Sequence, residues 1–376
     1  MIVDDSALMR KLLSDTLQRD SAIEVIDTAM DGQFALDHLA RVKPDVILMD
    51  VDMPRLDGLG ALDRIVAEYG LPVVMCSAQT TAGAKATIEA LARGAVDFIE
   101  KPDLALLKSG EATANIAAKV RSAMTARVSP SRRRRVVERR PALPAQTPPA
   151  PINDDNWHKT IEQISGLAHG SMPEIIAIGT STGGPPALEQ VLMGLPADFP
   201  LGIVIVQHMP PGFTQQLANH LDRNCQITVR EAEHLQPVEP GVALIARGGA
   251  HLNVIRKAGG YAVTLDEHTP PISGHRPSVD VLFDSVARSA GKRAAAFIMT
   301  GMGSDGANAM GELARAGAVT VAQTPDSCVC FGMPKSAMDR GHARAVIPLD
   351  GIASAIVACG AATRVSRPNY KIERSS

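Results

Sequence analysis

Aromatic side chains are scarce in this 376-residue chain: seven phenylalanines, three tyrosines and one tryptophan make up 3% of it. Base-stacking platforms need such rings, so a nucleic-acid partner is not expected. The net charge of −2 exerts no overall pull toward nucleic acid or an anionic membrane. No apolar run reaches the ~20 residues that span a bilayer, so direct membrane insertion is not expected either. The start, Met1-Ile2-Val3-Asp4-Asp5, lacks the basic and apolar regions of a signal peptide. Five cysteines, Cys76, Cys225, Cys328, Cys330 and Cys359, are odd in number and scattered, and read as reduced core thiols. Cys328-Val329-Cys330 is spaced too tightly for the usual zinc pair. A cytoplasmic protein is expected.

What is present is α/β patterning, in a chain long enough for two cores. Over residues 1–126, short apolar runs at 24–29, 45–50, 72–77 and 96–100 alternate with helical periodicity. Strand then helix, repeated, predicts a doubly wound, flavodoxin-like parallel sheet. Residues 127–170 change character: Arg132-Arg133-Arg134-Arg135, Arg139-Arg140 and the prolines from Pro141 to Pro151 read as a linker. Its arginines read as a solvated face, with a weak contact to nucleic acid or an acidic partner as the alternative. A second α/β region spans 171–362, with buried strands predicted at 174–179, 202–207, 241–245 and 294–300 and a mostly parallel sheet. Lys257-Ala258-Gly259-Gly260 reads as a hairpin turn, which predicts a mixed sheet. Residues 363–376 read as a disordered tail.

In the first domain, Asp4-Asp5 follow the first strand and Asp50 ends the third. Parallel topology brings them to one edge, where clustered carboxylates call for a hard cation such as Mg²⁺. Ser77 and Lys101 end later strands and would face a phosphoryl group on Asp50. These residues resemble the receiver domain of two-component response regulators, through Val3-Asp4-Asp5-Ser6, Leu48-Met49-Asp50-Val51-Asp52-Met53-Pro54, Ser77-Ala78 and Lys101-Pro102. The resemblance implies phosphorylation of Asp50 by a histidine kinase, Mg²⁺ on Asp4, Asp5 and Asp50, and a switch formed by Ser77, Lys101 and Phe98. One departure is the three-residue run before the acidic pair, where receivers carry several more apolar residues. A missing or misassigned start and a marginal domain are therefore expected.

In the second domain, Gly179-Thr180-Ser181-Thr182-Gly183-Gly184 has nucleophile-elbow spacing after a strand. His208 ends the next strand in Gln207-His208-Met209-Pro210-Pro211, and Asp305 lies in Gly301-Met302-Gly303-Ser304-Asp305-Gly306. Gathered at one sheet edge, Ser181, His208 and Asp305 point to acyl transfer by a hydroxyl nucleophile. The glycines around Asp305 also match a dinucleotide fingerprint, with Asp326 at the customary interval, but Asp305 would oppose a pyrophosphate there. His275, in Gly274-His275-Arg276-Pro277-Ser278, is a candidate substrate contact. Together these motifs, with Phe331-Gly332-Met333-Pro334, resemble the catalytic domain of chemotaxis protein-glutamate methylesterases, the CheB family. The resemblance implies hydrolysis of glutamate methyl esters and deamidation of glutamines on methylated chemoreceptors. It further implies an oxyanion hole at Met302 and Thr182, contact of His275 and Arg276 with substrate, and no cofactor for the ester step. The receiver is expected to cover the crevice until Asp50 is phosphorylated.

Overall fold

The computed structural model describes residues 1–78, 80–101, 110–126 and 155–365. The N-terminal domain comprises β1 (Ile2–Val3), α1 (Ala7–Leu17), β2 (Thr28–Ala29), α2 (Gly32–Leu39), β3 (Ile47–Asp50), α3 (Gly58–Arg64), β4 (Val73–Ser77), α4 (Thr81–Arg93), β5 (Asp97–Glu100) and α5 (Gly110–Met124). Side-chain oxygens of Ser6, Asp31, Asp57 and Thr80 cap the first four helices. The strands are parallel in the order β2-β1-β3-β4-β5. Strand order reverses between β1 and β3, which opens a crevice beyond their C-terminal ends. Although β1 has two residues, it pairs on both sides.

The C-terminal domain comprises α6 (Asp155–Ser171), β6 (Ile175–Thr180), α7 (Gly184–Met193), β7 (Gly202–Gln207), α8 (Phe213–Asn224), β8 (Thr228–Glu231), β9 (Val242–Ile245), β10 (His251–Lys257), β11 (Gly260–Asp266), α9 (Val279–Ser289), β12 (Ala294–Ile298), α10 (Ala307–Arg315), β13 (Val319–Gln323), α11 (Met333–Asp339), β14 (Ala345–Ile347) and α12 (Leu349–Val365). Seven strands run parallel in the order β14-β13-β12-β6-β7-β9-β8. Helices cover both faces, so central strands such as β6, β7 and β12 are buried along their whole length and read as unbroken apolar runs. The switch point lies between β6 and β12, with β7 beside β6.

Three expectations need correction. The hairpin β10–β11 forms as read, but as a sheet of its own, so the main sheet is not mixed. The outer edge of β10 is closed by a helix: Val254 N–H donates to Ser285 Oγ at 2.9 Å, and Ser289 Oγ donates to the Val254 carbonyl at 2.7 Å. Those α9 serines take the place of a neighbouring strand. The stretch 127–170 is also not all linker, because α6 begins at Asp155. Its Ile164 and Ala168 are fully buried and Leu167 packs on the core, against α12 and β14. Residues 127–154 and 366–376 lie outside the described residues, while 363–365 of the expected tail belong to α12.

The domains pack against each other. Helix α4 lies on α7 and α8. Phe98 of β5 stacks on Phe213 at the start of α8, with ring centroids 4.7 Å apart and planes 20° from parallel. Val329 enters the apolar cluster of Ile116, Ala117 and Val120 on α5.

Candidate active site

Ser181 follows β6 where the chain turns sharply into α7. Its N–H donates to the Thr300 carbonyl at 3.0 Å, and its carbonyl accepts from Gly184 N–H at 2.7 Å. The turn needs its glycines. Gly183 has φ of 75°, and a Cβ there would lie 2.5 Å from Val329; on Gly179 it would strike Val279 at 2.3 Å. Ser181 therefore lies, half-buried, just past the end of β6 at the switch point.

His208 extends the β7 ladder, its N–H donating to the Thr180 carbonyl at 3.2 Å. The imidazole Nε2 lies 2.8 Å from Asp305 Oδ2. An ionised carboxylate can only accept, so Nε2 carries a proton, which in a neutral imidazole leaves the lone pair on Nδ1. That Nδ1 is buried and has no hydrogen-bond partner among the described residues. Among the described residues no hydrogen bond joins the Ser181 hydroxyl to His208. The His275 ring stacks on that of His208, centroids 3.8 Å apart and planes 11° from parallel. Burial, then the neighbouring His208 charge, lowers the His275 pKa to about 3, so this stacked ring is neutral at physiological pH.

Asp305 sits at the N-terminus of α9. Besides His208, it accepts from Ser278 Oγ at 2.8 Å, Val279 N–H at 2.7 Å and Asp280 N–H at 3.1 Å. Burial pushes its pKa up, but the bond and charge of His208 and the two helix amides outweigh it and hold it at about 2. The arrangement is reciprocal: Asp280, in the first turn of α9, accepts from Ala309 N–H in α10 at 2.8 Å. Each carboxylate thus serves the start of the other's helix. Close approach of the two helices requires Gly306, where a Cβ would sit 2.4 Å from Val279.

The other crevice holds the acidic pocket. Lys101 Nζ reaches Asp50 Oδ2 at 2.6 Å and Asp4 Oδ2 at 3.2 Å. Burial, partly offset by Lys101, raises the Asp50 pKa to about 6. One oxygen each from Asp4, Asp5 and Asp50 lies within 4.8 Å of the others, and among the described residues buried Asp4 Oδ2 has the Lys101 ion pair but no hydrogen bond. A hard divalent cation fits this donor set.

Comparison with known proteins agrees with both crevices. A family model described as CheB methylesterase matches residues 176–356, and one described as response regulator receiver domain matches residues 1–109. A protein-glutamate methylesterase/protein-glutamine glutaminase of Symbiobacterium thermophilum is 43% identical over 357 residues, covering 95% of each chain. One of Dechloromonas aromatica, numbered 2, is 46% identical and covers 96% of this chain and 97% of its own. This chain belongs to the CheB methylesterase family. The crystal structure of the Thermotoga maritima CheB methylesterase catalytic domain is also similar, at 40% identity and a TM-score of 0.48, covering 49% of this chain and 97% of that one.

In this CheB-family chain the expected residues are unequally placed. Ser181, His208 and Asp305 meet at one crevice, with Met302 half-buried in the loop before α10. His275 lies against His208, whereas the Arg276 guanidinium donates to the carbonyls of Glu267 at 2.8 Å and Thr269 at 3.2 Å and so holds its loop. Asp326 is exposed beyond β13. The Thr182 hydroxyl donates to Asp97 of the receiver at 2.5 Å, inside a buried contact. Ser122 Oγ donates to Cys330 Sγ at 3.1 Å beside it. Asp97, Ser278 and Asp280 were not picked out from the sequence as site residues. An acid within an apolar strand run was the available signal for Asp97, and a Ser-x-Asp helix start for the other two.

Proposed function

We propose that this chain hydrolyses glutamate methyl esters and deamidates glutamines on the cytoplasmic helices of chemoreceptors, under control of phosphorylation at Asp50 by a histidine kinase. The observation that carries the chemistry is the Asp305–His208 pair beside Ser181 at the switch point. Relatives similar over nearly the whole chain support the substrate class. Ser181 Oγ attacks the ester carbonyl while His208 Nδ1 takes its proton, and Asp305 stabilises the imidazolium through Nε2–H. The oxyanion forms against the backbone N–H of Met302 and of Thr182, close to the start of α7. Collapse returns the proton to the leaving oxygen and releases methanol; from glutamine it releases ammonia. Water then gives a proton to Nδ1 and cleaves the acyl-serine, freeing a glutamate carboxylate. Rotation of the Ser181 side chain completes the hydroxyl–imidazole bond as substrate enters.

Thr182, tied to Asp97, and Gly183, packed on Val329, place the elbow under the receiver. This contact supports inhibition by the unphosphorylated receiver. Mg²⁺ held by Asp4, Asp5 and Asp50 would neutralise charge at the phosphoryl-accepting carboxylate. Lys101 and Ser77 would bind the phosphoryl oxygens. Because Lys101 directly follows β5, its movement displaces the strand that carries Asp97 and Phe98. Methanol release from methylated receptor membranes, with and without a small phosphodonor, tests the reading. Ser181→Ala should abolish release by a folded protein; near-normal turnover would refute it.

A further inference from the structure

Backbone pairing between β6 and β7 stops just short of the chemistry. The last rung is His208 N–H to the Thr180 carbonyl, and beyond it the chains carrying Ser181 and His208 part into separate loops. A buried side chain adds one more rung. Gln207 is 2% exposed, and its Nε2 donates to the Ser181 carbonyl at 3.0 Å and the His208 carbonyl at 3.2 Å. Its Oε1 accepts from Thr180 Oγ1 at 2.7 Å. The amide's orientation is forced, because both carbonyls are acceptors and only the NH₂ end can serve them.

We infer that Gln207 is the positioning residue that sets the separation of Ser181 and His208, an inference resting on the reading of those two as nucleophile and base. The elbow is built around it. A Cβ on Gly184 would lie 1.9 Å from Gln207 Oε1, so the second glycine of the Gly183-Gly184 pair makes room for this amide. Two motifs distant in sequence therefore form one device: the glycine leaves the space, and the glutamine fills it and clamps both reacting residues. Misplacement of reacting groups by about 1 Å costs on the order of a hundredfold in rate, while ground-state binding is untouched.

The test uses the full chain with methylated receptor membranes, measuring kcat and KM for Q207E, G184A and the double variant. Q207E removes the NH₂ donor at constant size. G184A retains the glutamine and displaces its amide, so it decides the matter if Q207E fails to fold. Each single variant should lose roughly ten- to hundredfold in kcat with KM within about twofold of wild type. The double variant should fall no further than the worse single variant, because both act on one clamp. Wild-type kcat in folded G184A, or losses that multiply in the double variant, would overturn the inference. Ser181→Ala separates the two levels: its activity would sink the underlying reading, whereas an inactive Ser181→Ala beside fully active Gln207 and Gly184 variants would sink this inference alone.

Discussion

Replacing Asp97 with alanine should release the receiver while leaving Ser181, His208 and Asp305 in place, because the bond lost is to the Thr182 hydroxyl and not to its backbone N–H. The Asp97–Thr182 bond is short, buried on both sides and made to a carboxylate. Deleting such a charge-assisted bond costs roughly 1.5–3 kcal/mol. At about 1.4 kcal/mol per factor of ten, the closed-to-open ratio falls by about ten- to a hundredfold. The Phe98–Phe213 stack is untouched, so closure is weakened rather than abolished. Lys119 is not stranded either, because its Nζ also donates to the Phe98 carbonyl at 2.7 Å. Without phosphodonor, Asp97→Ala should release methanol from methylated receptor membranes faster than wild type, by up to that same factor. The further stimulation by phosphodonor should shrink to match. A basal rate within twofold of wild type, in a protein that melts normally, would refute the latch.

Asp50→Asn should abolish the response to phosphodonor while leaving basal methanol release in place; a persisting response would count against the switch. Chelating divalent cations should prevent incorporation of phosphate at Asp50 yet spare unphosphorylated hydrolysis, and a chelator that stops basal hydrolysis would contradict the assignment of the metal to the receiver alone. Ser278→Ala removes one donor to Asp305 and the cap on α9. Asp305 titrates lower in the folded chain than unfolded, so its contribution of roughly 2 kcal/mol is present above about pH 4 and is lost as pH falls toward 2. The stability gap between wild type and Ser278→Ala, read from denaturant melts, should therefore narrow between pH 5 and pH 2 to the cap alone, about 1 kcal/mol. A gap constant with pH would show that Ser278 does not tune Asp305.

Strands such as β6, β7 and β12 are legible because helices cover them on both faces, and such burial leaves an uninterrupted apolar run in the sequence; β13 (Val319–Gln323), equally buried between two neighbours, is not among the strands expected, its run being broken by Thr320 and Gln323. Edge strands leave less. β8 (Thr228–Glu231) and β14 (Ala345–Ile347) each have one neighbour and a mixed burial pattern, and neither was read. Helix α6 is masked in the sequence by the adjoining prolines and arginines, although its Ile161, Ile164 and Ala168 keep helical spacing. The elbow glycines were visible as a pattern, but their reasons lie elsewhere in the chain: Val279, Val329 and the Gln207 amide fill the spaces they leave.

Residue type, spacing and hydrophobic period determined that there are two α/β domains, and that Ser181, His208 and four aspartates, Asp4, Asp5, Asp50 and Asp305, stand at or beyond strand ends. Those signals are local, set by backbone conformation and by which faces are buried. Strand order decided the rest. It brought β6 beside both β7 and β12, and so His208 to Asp305 and Asp305 to the start of α9, while the packing of one domain on the other laid Asp97 against Thr182. Each of those contacts joins residues 26 or more positions apart, and periodicity along a chain carries no information about which distant strand becomes a neighbour.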